Sequence, residues 1–148
     1  MREPVFTETL QIAIVVRDLD ATLQRYAEDY GIGPWQIHEL SSDDVDDLRE
    51  YGETVSHAWR VATTTIGSVM WELIQPLDDI GMYARFLAEK GEGVHHVALA
   101  ARDFDEALAI HAATGHELVG SGSLGGTRVA YLATDDDLGV IIETFTGD

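Results

Sequence analysis

The sequence predicts an α+β fold made of two tandem βαβββ modules, and three observations carry that prediction. The stretch Gln11-Ile12-Ala13-Ile14-Val15-Val16-Arg17-Asp18-Leu19-Asp20 returns 85 positions later as His96-Val97-Ala98-Leu99-Ala100-Ala101-Arg102-Asp103-Phe104-Asp105. A second echo, Val69-Met70-Trp71-Glu72 and Val140-Ile141-Ile142-Glu143, recurs at 71. All three prolines (Pro4, Pro34 and Pro76) lie at the expected element boundaries, where they remove no ladder hydrogen bond. Internal repetition of this kind dictates architecture. It divides a single domain of residues 1–148 into a first module over 8–76 and a second over 94–146.

The elements follow in order. Leu10 to Val16 is an apolar run that reads as a buried strand, and Asp18 or Asp20 can cap the helix behind it. Leu19, Leu23, Tyr26 and Tyr30 fall at helical spacing, and Gly31 or Gly33 followed by Pro34 stops that helix. Trp35 to Leu40 reads as a short strand. The stretch from 41 to 53 is rich in carboxylates (Asp43, Asp44, Asp46, Asp47, Glu50 and Glu53, with Glu39 just before) and reads as a solvated loop or short helix. As the main insertion between the halves, it is expected to form a flexible cover or rim for a site. Strands at His57–Ile66 and Ser68–Gln75, hinged at Gly67, complete the first module. Met82 to Lys90 reads as a connecting helix, ended by Gly91-Glu92-Gly93. The second module repeats the order: strand at Val94–Ala101, helix from Asp103 to about Thr114, then strands at His116–Gly120, Thr127–Ala133 and Gly139–Phe145.

Composition narrows the function classes. Nine basic residues against 27 acidic ones give a net charge of −18, which repels nucleic acid and anionic membrane surfaces. No apolar run approaches the ~20 residues of a membrane span, and the N-terminus lacks a signal-peptide pattern. The absence of cysteine excludes disulfides, zinc–thiolate sites and cysteine nucleophiles. A cytoplasmic protein is expected.

The repeat places four potential ligands in matching positions: Gln11 with His96, and Glu72 with Glu143. Side chains alternate along a strand, so Glu72 falls between Met70 and Ile74, and Glu143 between Ile141 and Phe145. A carboxylate among apolar neighbours is costly unless its charge is balanced. Taken singly, Gln11 could be a strand-edge amide, either Glu could be ion-paired, and His96 could be a satisfied core histidine. Taken together, one imidazole, one amide and two carboxylates suit a divalent cation. With one nitrogen and three oxygens they serve zinc, nickel, cobalt, manganese or magnesium comparably. His95 should face away from His96, as packing or polar surface.

These segments, with Gly31-Ile32-Gly33-Pro34-Trp35, Glu72-Leu73-Ile74-Gln75-Pro76, Gly91 to Asp105 and Leu138 to Glu143, resemble the vicinal oxygen chelate superfamily, which includes glyoxalase I, methylmalonyl-CoA epimerase, extradiol dioxygenases and bleomycin-resistance proteins. The resemblance implies a curved mixed sheet forming a cleft around one metal ion. The ligand order Gln, Glu, His, Glu is similar to zinc-type glyoxalase I, whereas Gly91-Glu92-Gly93-Val94-His95-His96 looks more like methylmalonyl-CoA epimerase. The chain departs from glyoxalase I in offering Val15 and Pro76 where that enzyme holds glutathione. The epimerase's second catalytic glutamate would fall in the acidic segment, with Glu39, Glu50 and Glu53 as candidates.

The expected function is that of a metal-dependent isomerase, epimerase or lyase, abstracting a proton beside a metal-bound carbonyl. Glu143 is the expected base, with Glu72 alternating or next in line. His57 and His38 could assist, although surface roles are the default for both. Trp35, Trp59 and Trp71 could line a pocket. The alternatives are a small-molecule binding or resistance protein of the same fold and, more remotely, an extradiol dioxygenase. The expected partners are a small carbonyl substrate and a second copy in a homodimer, since a two-module chain leaves sheet edges a twofold partner could cover.

Overall fold

The computed structural model describes residues 1–147. Ten strands form one mixed sheet: β1 (Phe6–Val15), β2 (Gln36–Ser41), β3 (Asp46–Glu50), β4 (Glu53–Thr54), β5 (Ala58–Ile66), β6 (Val69–Pro76), β7 (Gly93–Ala101), β8 (Leu118–Leu124), β9 (Thr127–Leu132) and β10 (Ile141–Phe145). Their spatial order is β2-β5-β6-β1-β7-β10-β9-β8-β3-β4. The helices are α1 (Leu19–Tyr30), α2 (Met82–Lys90), α3 (Phe104–Ala112) and the single turn α4 (Asp135–Leu138). None of the helices described is long and apolar enough to cross a membrane.

The repeat is visible as a twofold pattern. β1 runs parallel to β6 and β7 parallel to β10, while β1 and β7 pair antiparallel at the centre. The first-strand helices are built alike as well: Asp18 accepts a hydrogen bond from the Ala21 amide, and Asp103 one from Glu106, each satisfying an otherwise unpaired donor of the first turn. The main core packs inside the curve, with Val15, Trp59, Val61, Ile74, Val119 and Ile141 gathered around Met82 and Tyr83 of α2. α2, which links the modules, therefore plugs the interior of the sheet. Ala13 and Ala98, both fully buried at the seam, keep that floor low.

The acidic segment departs from the sequence reading. It is neither a loop nor a helix beyond the 3-10 turn Ser42–Asp44, which is closed by reciprocal bonds between Ser41 and Asp44. It continues into β3, which pairs antiparallel with β8 through Asp46↔Ser123, Arg49↔Ser121 and Glu50↔Gly120. A strand of the first module's sequence thus seals the outer edge of the second. Its charges hid an inward set: Val45 and Leu48 pack on the core and Glu50 is buried. Gly122 leaves the room this needs, because a Cβ there would sit 2.6 Å from Val45 Cγ1. The segment is part of the sheet, so the expectation of a flexible cover is withdrawn.

Candidate metal centre

Sheet register gathers the four candidate ligands. Ala13 lies opposite His96 across the β1–β7 seam and beside Glu72 on β6. Ala98 lies opposite Gln11 and beside Glu143 on β10. The two alanines leave the space into which longer side chains from neighbouring strands converge. His96 Nε2 stands 3.1 Å from Glu143 Oε2 and 3.9 Å from Glu72 Oε1. Gln11 interacts with Glu72, and its amide nitrogen also lies 3.6 Å from Met70 Sδ.

The electrostatics of this group are unbalanced. His96 and Glu143 are buried, and the Glu72 side chain is 17% exposed. Burial pushes the Glu72 carboxyl up to about 7, and the Glu143 charge adds to the rise, against the lowering influence of His96 and Gln11. His96 Nε2 is buried without a hydrogen-bond partner although two carboxylates face it. An orphaned buried nitrogen aimed between two carboxylates is an arrangement a cation would satisfy. Two donors each about 2.1 Å from one ion stand roughly 3.0–3.4 Å apart, so these separations need only small adjustment. Among the described residues no group of three His, Cys, Asp or Glu side chains is already drawn into a metal cluster. The donor set nevertheless fits a divalent ion in charge and in kind.

His95 corrects a second expectation. A bulge in β7, where Ala13 pairs with His96 but Ile14 with Val94, leaves His95 without a partner on β1. It is buried, packs edge-on against Tyr83 and Phe86 of α2, and places its Nδ1 2.9 Å from His96 Nδ1. Burial, chiefly, and the charges of His96 and Lys90 hold its pKa well below the ordinary value, so it is neutral. One proton is shared along this contact. With that proton on His96 Nδ1, the lone pair of His96 Nε2 points at the carboxylates, as a ligand's must.

Gln11, Glu72 and Glu143 line a cavity of about 360 Å³, with His96 buried behind them. Trp59, Tyr83, Tyr131 and Phe145 give it aromatic walls, with Leu40, Val61, Leu124 and Val129 between them. Tyr131, which the sequence does not single out, lies opposite Glu143 on the neighbouring strand, and its hydroxyl lies 3.5 Å from that of Tyr83. Burial, first of all, and the nearby carboxylates raise both phenols well above their usual pKa, so they remain protonated donors. Only the alternation of β9 and the placing of α2 could have drawn attention to them.

The other candidates lie elsewhere. Trp35 packs against Tyr26 of α1, and Trp71 donates to the Tyr26 hydroxyl at 3.1 Å, on the convex side. His38, Glu39 and Glu53 are exposed. His57 is buried, contrary to the surface reading, and its Nε2 meets Glu50 Oε2 at 2.8 Å. Glu50 Oε1 accepts the Met82 amide at 2.7 Å, capping α2 where Gly81 offers no side chain. Gly81 is required there: its φ is +95°, and a Cβ would lie 2.6–2.7 Å from the His57 ring. Both oxygens of Glu50 are therefore engaged in holding α2.

A two-module curved mixed sheet defines a vicinal oxygen chelate architecture, and this chain belongs to the Glyoxalase/Bleomycin resistance protein/Dioxygenase superfamily, which it matches over residues 10–131. Among solved structures it is similar to a single-residue variant of Streptomyces coelicolor methylmalonyl-CoA epimerase in complex with 2-nitronate-propionyl-CoA. The two are 25% identical over 96% of this chain and 98% of that one, with a TM-score of 0.65. The methylmalonyl-CoA epimerase of Mycobacterium tuberculosis (23%, 98% and 91%, 0.65) and a hypothetical protein of Bacillus halodurans C-125 (23%, 95% and 94%, 0.66) share the fold. No curated protein matches the chain.

Proposed function

We propose that this enzyme is an epimerase or isomerase that moves a proton next to a carbonyl group, with Gln11, Glu72, His96 and Glu143 holding one divalent ion. The observation that carries this reading is the orphaned His96 Nε2, buried between Glu143 and Glu72. The likeness to a methylmalonyl-CoA epimerase, of comparable length and 25% identical, supports the reaction class.

An ion held there supplies a Lewis acid, which stabilises negative charge developing on a carbonyl oxygen. The residues of the chain do the rest. Glu143 takes the proton as the α C–H bond breaks, and the electron pair moves to the oxygen. A proton delivered by Glu72, whose carboxyl burial raises to about 7, to the opposite face of that carbon epimerises it, and return from Glu143 to the neighbouring carbon isomerises the compound. Tyr131 stands opposite Glu143, and the aromatic walls keep bulk water from quenching the charge. His95 fixes the ring of His96. The set of one nitrogen and three oxygens serves zinc, nickel, cobalt, manganese and magnesium alike.

Metal analysis and solvent exchange test this together. The purified protein should carry about one divalent ion per chain. Chelation should abolish deuterium uptake at the α-carbon of a carbonyl substrate, and adding the ion back should restore it. A chain that retains no divalent ion, or exchanges equally well without one, would sink the reading.

A homodimer belongs to the same proposal. β2 has a strand partner on one side only, and Ile37 on it is 49% exposed, leaving an edge that a twofold copy could cover. Since a charge of −18 opposes self-association, the dimer should tighten with salt. Sedimentation at low and high ionic strength checks this, and a monomer at micromolar concentration under both conditions removes it.

A further inference from the structure

The cavity over the candidate metal centre is bordered by no cationic side chain. Its charged lining residues are Glu72 and Glu143, and among the described residues neither lysine nor arginine borders it. The reason lies in strand alternation. Arg60 and Arg128 are next in sequence to wall residues, Trp59 and Val61 in the first case and Thr127 and Val129 in the second. Each therefore points to the convex face. Arg60 is tied there to Asp20 at 3.2 Å, and Arg128 to Asp105 at 3.0 Å while lying over the Phe104 ring. Lys90, the chain's only lysine, stands at the far end of α2 within 3.9 Å of Asp135.

From this we infer that the substrate is an uncharged carbonyl compound with a compact, ring-sized apolar substituent, and not an anionic thioester. The inference rests on the preceding reading of the site as a metal-dependent proton-transfer centre and specifies its substrate class. Two carboxylates and one divalent ion sum to zero, so the occupied site offers no residual attraction to a second anionic group. A carboxylate tail, or other anionic groups drawn into the cavity, would have to be desolvated against apolar walls without a partner, which is costly. They would also approach a chain whose charge is −18. The walls suit a ring instead. Trp59, Tyr83, Tyr131 and Phe145 surround about 360 Å³, near the small end of ligand pockets, and the two phenols supply neutral donors.

Calorimetry on the metal-loaded protein with three probes decides the matter. Benzohydroxamic acid presents a planar chelating head on an uncharged ring. 4-Carboxybenzohydroxamic acid adds one negative charge to the same frame, and propionyl-CoA supplies the thioester class. The expected result is saturable binding of the neutral probe, at least tenfold tighter than the carboxylated one, with no saturation by the thioester at millimolar concentration. A Thr127→Lys variant, which puts a cation on the wall, should narrow the gap several-fold by strengthening the carboxylated probe alone. Equal or tighter binding of either anionic probe, or no binding of the neutral one, would overturn the inference. These outcomes are distinct from failure of the proposed function, which shows in the same samples as absence of bound metal before any probe is added.

Discussion

Replacing Glu143 with glutamine should leave the fold intact and slow proton exchange at the substrate α-carbon by about 10²–10⁴-fold, the usual contribution of a positioned general base. Glutamine keeps the size of the side chain and one oxygen that can face a cation, but it cannot accept a proton near neutral pH. It also removes one of the two carboxylates facing His96, so bound metal has to be measured on the same sample. Metal retained with exchange lost identifies Glu143 as the base. Metal retained with exchange at the wild-type rate would transfer that role to Glu72, whose carboxyl burial already raises to about 7. Tyr131 should be affected as well, because it loses a charged partner that helps hold its phenol protonated.

The second large effect is expected at Glu50, and it is one of stability. Its two oxygens satisfy His57 Nε2 at 2.8 Å and the Met82 amide at 2.7 Å, both inside the core. Glu50→Ala leaves both groups buried without partners, at about 1–3 kcal/mol each with a cavity added, so a loss of about 3–5 kcal/mol is expected. For a chain of this size that lowers the melting temperature by on the order of 10 °C. Glu50→Gln should lie between, since an amide can accept one of the two bonds but not both. Chemical denaturation measures the loss, and exchange assayed per folded, metal-loaded chain should stay near wild type. The opposite pattern, unchanged stability with exchange abolished, would make Glu50 a second base and refute its role as the anchor of α2.

Much of this architecture is legible in the chain because the repeat is written in residue types with local consequences. Asp18 and Asp103 cap helices wherever they precede a helical pattern, and Gly31 ends one wherever the backbone must turn left-handed. Strand alternation places Glu72 and Glu143 among apolar neighbours without knowledge of what they meet. Family membership follows from the same repeat, since the match over residues 10–131 spans both halves.

Where the sequence reading failed, the deciding partner was far away in the chain. Residues 46–50 look like solvated acid until β8, some seventy residues on, supplies a ladder for their backbone. His57 looks like surface until Glu50 and the bare Cα of Gly81 close over its ring. His95 should face away from His96 by alternation, but a bulge in β7, imposed by pairing with β1, turns the two rings toward each other. The sequence by itself determined the modules, the caps and the matching positions of Gln11, Glu72, His96 and Glu143, because each depends on periodicity or on neighbours within a few residues. Only the tertiary structure decided what stands beside those four residues: Tyr131, the cation-free walls and α2 seated on Glu50. Those depend on which strands become neighbours, and pairing across tens of residues leaves no mark on either partner alone.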